Sequence, residues 1–138
     1  MSAQIGTVAE PDYQRLLDFR DGLRRFHRWS AEQARSVGLT PTQHQLLLAI
    51  RGHRGRPSVG DVAAHLLVRH HSAVGLIDRA VSAGLVERVI DGEDHRVVRL
   101  ALTPEGDARV EALSTAHLEE LARLRTRFAD LWADLPAD

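Results

Sequence analysis

The stretch Leu85–Gly106, LVERVIDGEDHRVVRLALTPEG, decides the fold of this chain. Two runs rich in valine and leucine, Leu85–Ile90 and Val97–Leu102, flank a short polar loop at Asp91–Arg96. Such runs, separated by a loop that contains aspartate and glycine, predict an antiparallel β-hairpin. Thr103-Pro104 then predicts the start of a helix, since proline is favoured at the first helical position.

The segment before the hairpin predicts a helix over Arg69–Ala83 that ends at Gly84. The tip of the hairpin loop carries Asp94-His95-Arg96. A helix that leads directly into a hairpin with a basic tip is the arrangement of a winged helix-turn-helix. This arrangement suits DNA, because a helix fits the major groove and an arginine fits the minor groove.

Further helices are predicted upstream. Thr40-Pro41-Thr42-Gln43 has the pattern of a capping box and begins a helix that runs to about Arg51. Ser58 begins a short helix to about Leu66, with Asp61 supporting its start. Apolar residues that recur every three or four positions predict long helices over 12–36 and 104–135, with a break near Arg127 as an option.

Composition places few limits on function. The chain has 138 residues, no cysteine and a net charge of −1, which excludes thiolate metal sites and thiol redox sensing. Charge is uneven along the chain: residues 103–138 carry four arginines against eight acidic residues, whereas residues 1–102 carry a small positive excess. This distribution is compatible with a local DNA-binding face. Without a signal peptide or an apolar run of about 20 residues, a cytoplasmic protein is expected.

The fold predicted from these features is mainly α with a small antiparallel β wing. We expect one domain over 1–138, with a winged helix DNA-binding region at 40–102 and long terminal helices at 12–36 and 104–135. The apolar faces of these terminal helices are too long for the small middle region to cover. We therefore expect them to pack on each other and on a second subunit; the alternative is packing within one monomer.

The ordered combination of motifs resembles the MarR family of bacterial transcription regulators, over about residues 12–135. The stretches that carry the resemblance are Leu39–Gln43, Val59–Leu66, Ile77–Arg79 with Gly84–Arg88, and Asp94–Arg96 with Leu100–Gly106. The resemblance implies a homodimeric winged helix protein, joined by its N- and C-terminal helices, that represses a nearby gene. It also implies that Arg69–Ala83 is the recognition helix, that Asp91–Arg96 is the wing, and that a small, often aromatic, ligand releases the DNA.

The predicted DNA-binding residues lie at the start of the recognition helix and on the wing. Gly75 departs from the family pattern, which often has arginine there. Arg96 is the strongest candidate, because minor-groove insertion needs a long charged side chain on an exposed loop, and Asp94 can hold its guanidinium. The predicted set is Arg69, His70, His71, Ser72, Val74, Gly75, Arg79, Asp94 and Arg96.

An effector site is expected at the junction of the long helices with the winged region, where aromatic walls and a few polar groups suit a small aromatic acid. Its predicted residues are Phe26, His27, Trp29, His44, Leu47 and His117. Packing of these residues in the core is the alternative.

The eight histidines suggest a rival function, a metal-sensing regulator. His65, His70 and His71 are close in sequence, and His27, His44 and His117 could converge, but no HExxH pattern is present. No metal ligand or cofactor is therefore assigned. A third interpretation is that the winged helix binds other proteins rather than DNA. An enzyme is the least favoured, since no nucleophile motif or phosphate-binding glycine loop is found.

Overall fold

The computed structural model describes residues 6–133 and 135–136. Over these residues the chain is mostly helical, with one two-stranded antiparallel sheet. This confirms the predicted fold class. The elements in chain order are α1 (Glu10–Ser36), α2 (Pro41–Gly52), α3 (Val59–Leu66), α4 (His70–Ser82), β1 (Val86–Ile90), β2 (Val98–Leu102) and α5 (Pro104–Ala129).

Helices α2 and α3 begin at capping boxes. The Thr40 hydroxyl accepts the Gln43 N–H at 3.1 Å, and the Gln43 side chain accepts the Thr40 N–H at 3.0 Å. Ser58 and Asp61 make the same reciprocal pair at 3.1 and 2.9 Å. Each box satisfies two N–H groups that a helix start would leave unbonded. Both predicted helix starts, including the role of Asp61, are therefore confirmed.

The hairpin pairs β1 with β2 in the register Val86 to Leu102 and Ile90 to Val98. The segment before α3 extends this pairing, because the Leu100 N–H donates to the Pro57 carbonyl oxygen at 2.9 Å and Ser58 bridges Arg99. Strand β2 of the hairpin is therefore hydrogen-bonded to the segment that leads into α3.

The described residues divide into two compact units. The larger unit, residues 31–115, holds the end of α1, all of α2 to α4, the hairpin and the first part of α5. Its core contains leucines from α2, β2 and α5, of which Leu46, Leu47, Leu100 and Leu113 are almost wholly buried. Burying each such side chain contributes about 1.5–3 kcal/mol, so this unit has a substantial core of its own.

The smaller unit contains the described residues up to Ser30 and those from Ala116 onward. Here α1 and α5 pack through aromatic rings: Phe19 meets Phe128 and Trp132 edge-to-face, with ring centroids 6.3 Å apart in both pairs. The buried Gly22 lies directly against the Phe128 ring. A side chain at position 22 would displace that ring.

Several predicted boundaries change. α5 continues unbroken through Arg127 but ends at Ala129 rather than at 135, because residues 130–133 form turns. α1 begins two residues before the predicted start, at Glu10, and β2 begins at Val98. None of the helices described is long and apolar enough to cross a membrane.

Candidate nucleic-acid interface

The turn that joins α3 to α4 positions the start of α4. Leu67 adopts the left-handed conformation, with φ 55°, and its N–H closes the end of α3. Arg69 then serves as the N-cap residue of α4 in an extended conformation. The reversal between two helices packed on each other is the geometry of a helix-turn-helix.

The first turn of α4 presents an exposed polar surface. Its buried residues, Ala73, Ile77 and Ala80, face the core of the larger unit. Of the predicted DNA-binding residues, Val74 and Gly75 are half-buried, and the exposed ones are Arg69, His70, His71, Ser72 and Arg79. The structure therefore places Arg69 to Gly75 at the start of α4 and Arg79 in its last turn.

Gly75 and Arg79 lie one helical turn apart and occupy a shared space. A Cβ atom at position 75 would lie 3.7 Å from the Arg79 Nη1. The Arg79 side chain therefore passes back over the glycine, toward the place that a longer side chain at 75 would fill. An arginine head is available near this part of α4 even though position 75 has no side chain.

Arg96 extends from the tip of the hairpin, with 91% of its side chain exposed. The Asp94 carboxylate accepts from the Arg96 Nε at 3.0 Å and from the Arg96 Nη2 at 3.3 Å. These side-chain bonds, followed by the Arg96 backbone N–H, lower the pKa of Asp94. Arg96 is thus held in one direction while its face remains open to solvent.

The base of the loop is fixed by Asp91. Its carboxylate accepts N–H bonds from Glu93 at 2.8 Å and Asp94 at 3.1 Å, and the Arg99 Nε bond at 2.9 Å. These contacts, first the Glu93 N–H and then Arg99, lower the pKa of Asp91 to about 2. Sequence reasoning missed Arg99, because its contact with Asp91 depends on the hairpin register.

Asp78 and Arg88 form an ion pair between α4 and β1. The partner of Asp78 is thus Arg88, on the strand that follows α4, rather than the adjacent Arg79. This pair leaves the Arg79 side chain over Gly75. The signal that could have identified Arg88 is its position in β1, on the strand that directly follows α4.

The predicted effector residues fall in both units. In the smaller unit, His117 contacts Phe26 and Trp29 with ring centroids 5.9 and 4.7 Å away, and His27 lies beside Phe26 at 5.9 Å. His44 and Leu47 are buried in the larger unit, 3% and 0% exposed. The structure also adds a residue that the sequence did not indicate: the buried Ser30 hydroxyl lies 2.7 Å from the His117 Nε2.

Metal binding requires a cluster of side chains that can act as ligands. Within residues 6–133 and 135–136, no three or more histidine and carboxylate side chains form a group that could hold a metal ion. The ring of His65 contacts that of His53, at a centroid distance of 5.2 Å.

Comparison with known proteins finds a similarity to one family of regulators. Residues 37–97, which include α2, α3, α4, β1 and the wing loop, match the model described as MarR family. Over these residues the chain is similar to the MarR family. The resemblance found in the sequence is therefore confirmed.

Two similar proteins come from Bacillus subtilis (strain 168). The HTH-type transcriptional regulator YsmB is 34% identical over 76 residues, which cover 55% of this chain and 52% of YsmB. The HTH-type transcriptional repressor MdtR is 29% identical over 92 residues, 67% of this chain and 59% of MdtR. The chain thus spans little more than half the length of these curated relatives.

A solved MarR-like structure shares the fold. The Staphylococcus aureus MepR–DNA complex superimposes with a TM-score of 0.68 at 20% sequence identity, over 78% of this chain and 78% of MepR. At this identity the likeness concerns the fold. It agrees with a winged helix fold in which α3 and α4 form the helix-turn-helix and β1 and β2 form the wing.

Proposed function

We propose that this chain is a sequence-specific DNA-binding transcription regulator of the MarR family and acts as a repressor. The observation that carries the proposal is the pairing of an exposed polar start of α4 with an exposed, oriented Arg96 in one compact unit. A helix end with free N–H groups favours phosphate, and side chains on its first turn can contact base edges. The repressor name of MdtR and the DNA in the MepR complex support the same function.

In the proposed complex α4 enters the major groove. Arg69 and Ser72 contact phosphate or base edges, and Val74 offers a methyl contact to thymine. Arg79, lying over Gly75, supplies the arginine that position 75 lacks. The wing places Arg96 in the neighbouring minor groove, where the narrow walls increase the attraction for a guanidinium. Asp94 orients Arg96 before DNA binds.

We propose that the regulator is a homodimer on a pseudo-palindromic site, with 12–36 and 104–135 as dimerisation segments and 40–102 as the DNA-binding region of one domain. Support comes from the smaller unit, whose surface leaves large apolar side chains in water. The most exposed are Tyr13, Leu16, Leu17, Leu118, Leu121 and Trp132, each at least 55% exposed. An apolar surface of this size is typical of a protein interface. A symmetric dimer would place two α4 helices one DNA turn apart.

We also propose that a small-molecule effector binds the protein. The aromatic cluster of Phe26, Trp29 and His117 in the smaller unit, flanked by His27, offers ring faces to a small aromatic acid. The buried His44 and Leu47 stay predicted members whose side chains a ligand would reach only after a rearrangement. We place the action of the regulator in the cytoplasm, where the DNA of a bacterial cell lies.

The test is salt-dependent binding to DNA upstream of the gene for this chain. We expect a footprint with two half-sites about one helical turn apart, and an affinity that falls linearly with salt on logarithmic axes. Binding of the same strength to any DNA of equal length would contradict a sequence-specific regulator. Specific capture of a protein partner without DNA binding would support the protein-binding alternative instead.

A further inference from the structure

His53 and His65 meet at the surface of the larger unit, although 12 positions separate them in sequence. His53 is the C-cap residue of α2, and His65 lies in the last turn of α3. The His53 Nδ1 and the His65 Nε2 are 2.9 Å apart, and the two ring planes stand at 81°. The packing of α2 on α3 therefore brings one nitrogen of each ring within hydrogen-bond distance of the other.

Asp61 lies behind the His53 ring. Its Oδ2 is 3.6 Å from the His53 Nε2, on the side of the ring opposite His65. A carboxylate in this place favours the tautomer with its proton on Nε2, which leaves the Nδ1 lone pair facing the His65 ring. Metal-binding histidines have this arrangement, in which a carboxylate holds the second ring nitrogen and makes the ligand more basic.

We propose that the His53 Nδ1 and the His65 Nε2 form a binding site for a divalent transition-metal ion of the class that prefers imidazole, such as Cu²⁺, Ni²⁺ or Zn²⁺. Two bonds of roughly 2.0–2.1 Å at a right angle put ligand nitrogens about 2.9 Å apart, which is the spacing found here. The proton on the His65 Nε2 moves through solvent to its Nδ1, so ligation by neutral rings requires no net proton release.

The remaining coordination positions face water. Both rings line an open pocket of about 310 Å³, together with Gln45, Leu48, Ala49, Gly52 and Leu66. Such a site, with two protein nitrogens and water as the other ligands, suits an exchangeable ion rather than a permanent structural one.

The site is linked to the wing through Asp61. The Arg99 Nη1 lies 3.8 Å from the Asp61 Oδ2, and the Arg99 Nε donates to Asp91 at the base of the wing loop. A cation at the two histidines adds positive charge beside Asp61 and competes with Arg99 for it. We therefore expect metal binding to change the affinity for DNA. This expectation, unlike the metal site itself, rests on the proposed function.

The test is a Cu²⁺ titration of the full chain by calorimetry, with electron paramagnetic resonance to count nitrogen ligands. We expect one ion per chain with two imidazole nitrogens. His53→Gln and His65→Gln should each weaken binding at least about tenfold, and Asp61→Asn by about 10–100-fold, as expected for a carboxylate that supports a ligand.

His95→Gln, at the exposed wing tip, is the matched control and should bind Cu²⁺ like the original chain. Circular dichroism verifies that each variant is folded. Equal Cu²⁺ affinity of the original chain, His53→Gln and His65→Gln would overturn the site. So would a nitrogen signal that survives both substitutions. Because the titration uses no DNA, its outcome is independent of the proposed regulatory function.

Discussion

Arg99 in β2 donates its Nε–H to Asp91 at 2.9 Å, which joins the second strand of the wing to the first residue of the wing loop. The same guanidinium approaches Asp61 in α3. The wing is therefore anchored by charge to the helix that precedes α4. The two elements that we propose to contact DNA share this connection.

The contacts of Asp91 predict a pH dependence of stability. Its pKa falls from the ordinary 3.8 to about 2 in the folded chain, so the charged form stabilises the fold. This contribution is complete above about pH 4 and is lost as the pH falls through 4 toward 2. Asp91→Asn keeps an oxygen that can accept the Glu93 N–H but loses the charge that pairs with Arg99.

Urea unfolding of the original chain and of Asp91→Asn at pH 7, 4 and 2.5 measures this effect. The original chain should be more stable at pH 7, and the difference should shrink toward pH 2.5. Asp107→Asn, an exposed carboxylate in α5 paired with Arg51, is a control for general acid effects. A difference between the original chain and Asp91→Asn that grows on acidification would contradict the assignment.

Arg96→Ala should weaken DNA binding without unfolding the protein. It removes an exposed guanidinium held by Asp94, and a loss on the order of 1–3 kcal/mol of binding free energy is expected. Fluorescence anisotropy at fixed salt measures it. Arg20→Ala, an exposed arginine of α1, is the control and should leave affinity unchanged. Equal losses for both variants would assign the effect to net charge rather than to the wing.

Gly106→Ala should destabilise the larger unit. A Cβ at position 106 would run into the Leu85 carbonyl group, which accepts the Thr103 N–H at 3.0 Å. Because backbone meets backbone, relief requires a shift of α5, and a loss of at least about 1–3 kcal/mol is expected.

Gly52→Ala is the matched control for Gly106→Ala. It also adds one methyl group at a helical glycine, but a Cβ there meets nothing within 4 Å. It should be neutral or stabilise by up to about 1 kcal/mol. Thermal unfolding compares the two variants, and equal effects on the melting temperature would contradict the close approach at Gly106.

Leu121→Glu should convert the proposed dimer to a monomer. The leucine is 55% exposed within one chain, so a charge there costs little in the monomer but much in an apolar interface. Light scattering at micromolar concentration measures the mass. Leu67→Glu is the control, because Leu67 is 92% exposed in the turn between α3 and α4. A dimeric Leu121→Glu variant, or a monomeric original chain, would refute the proposed interface.

Local signals predicted most of the fold. Thr40, Ser58 and Thr103 mark helix starts because their hydroxyl groups accept N–H bonds three residues ahead, which depends on neighbouring residues alone. The hairpin followed from two valine-rich runs and a turn-forming loop. The end of α5 could not be placed, because leucines continue the helical spacing beyond Ala129 and only packing decides where the helix stops.

The candidate site was predicted in part. The position of a residue in the motif predicts that it is exposed on α4 or on the wing. It does not predict contacts between segments that are distant in sequence. The Arg88 partner of Asp78, the Arg99 partner of Asp91 and the meeting of His53 with His65 each depend on strand register or helix packing. Such contacts become visible only when the elements are placed in three dimensions.

The central claim is that α4 and the wing together recognise DNA. Its most direct test is one titration series of the footprinted operator with the original chain, Arg69→Ala and Arg96→Ala, each at several salt concentrations. We expect both variants to bind the operator more weakly, and we expect a lost phosphate contact to lower the salt slope by about one. Operator binding of undiminished affinity and slope in both variants would contradict this claim.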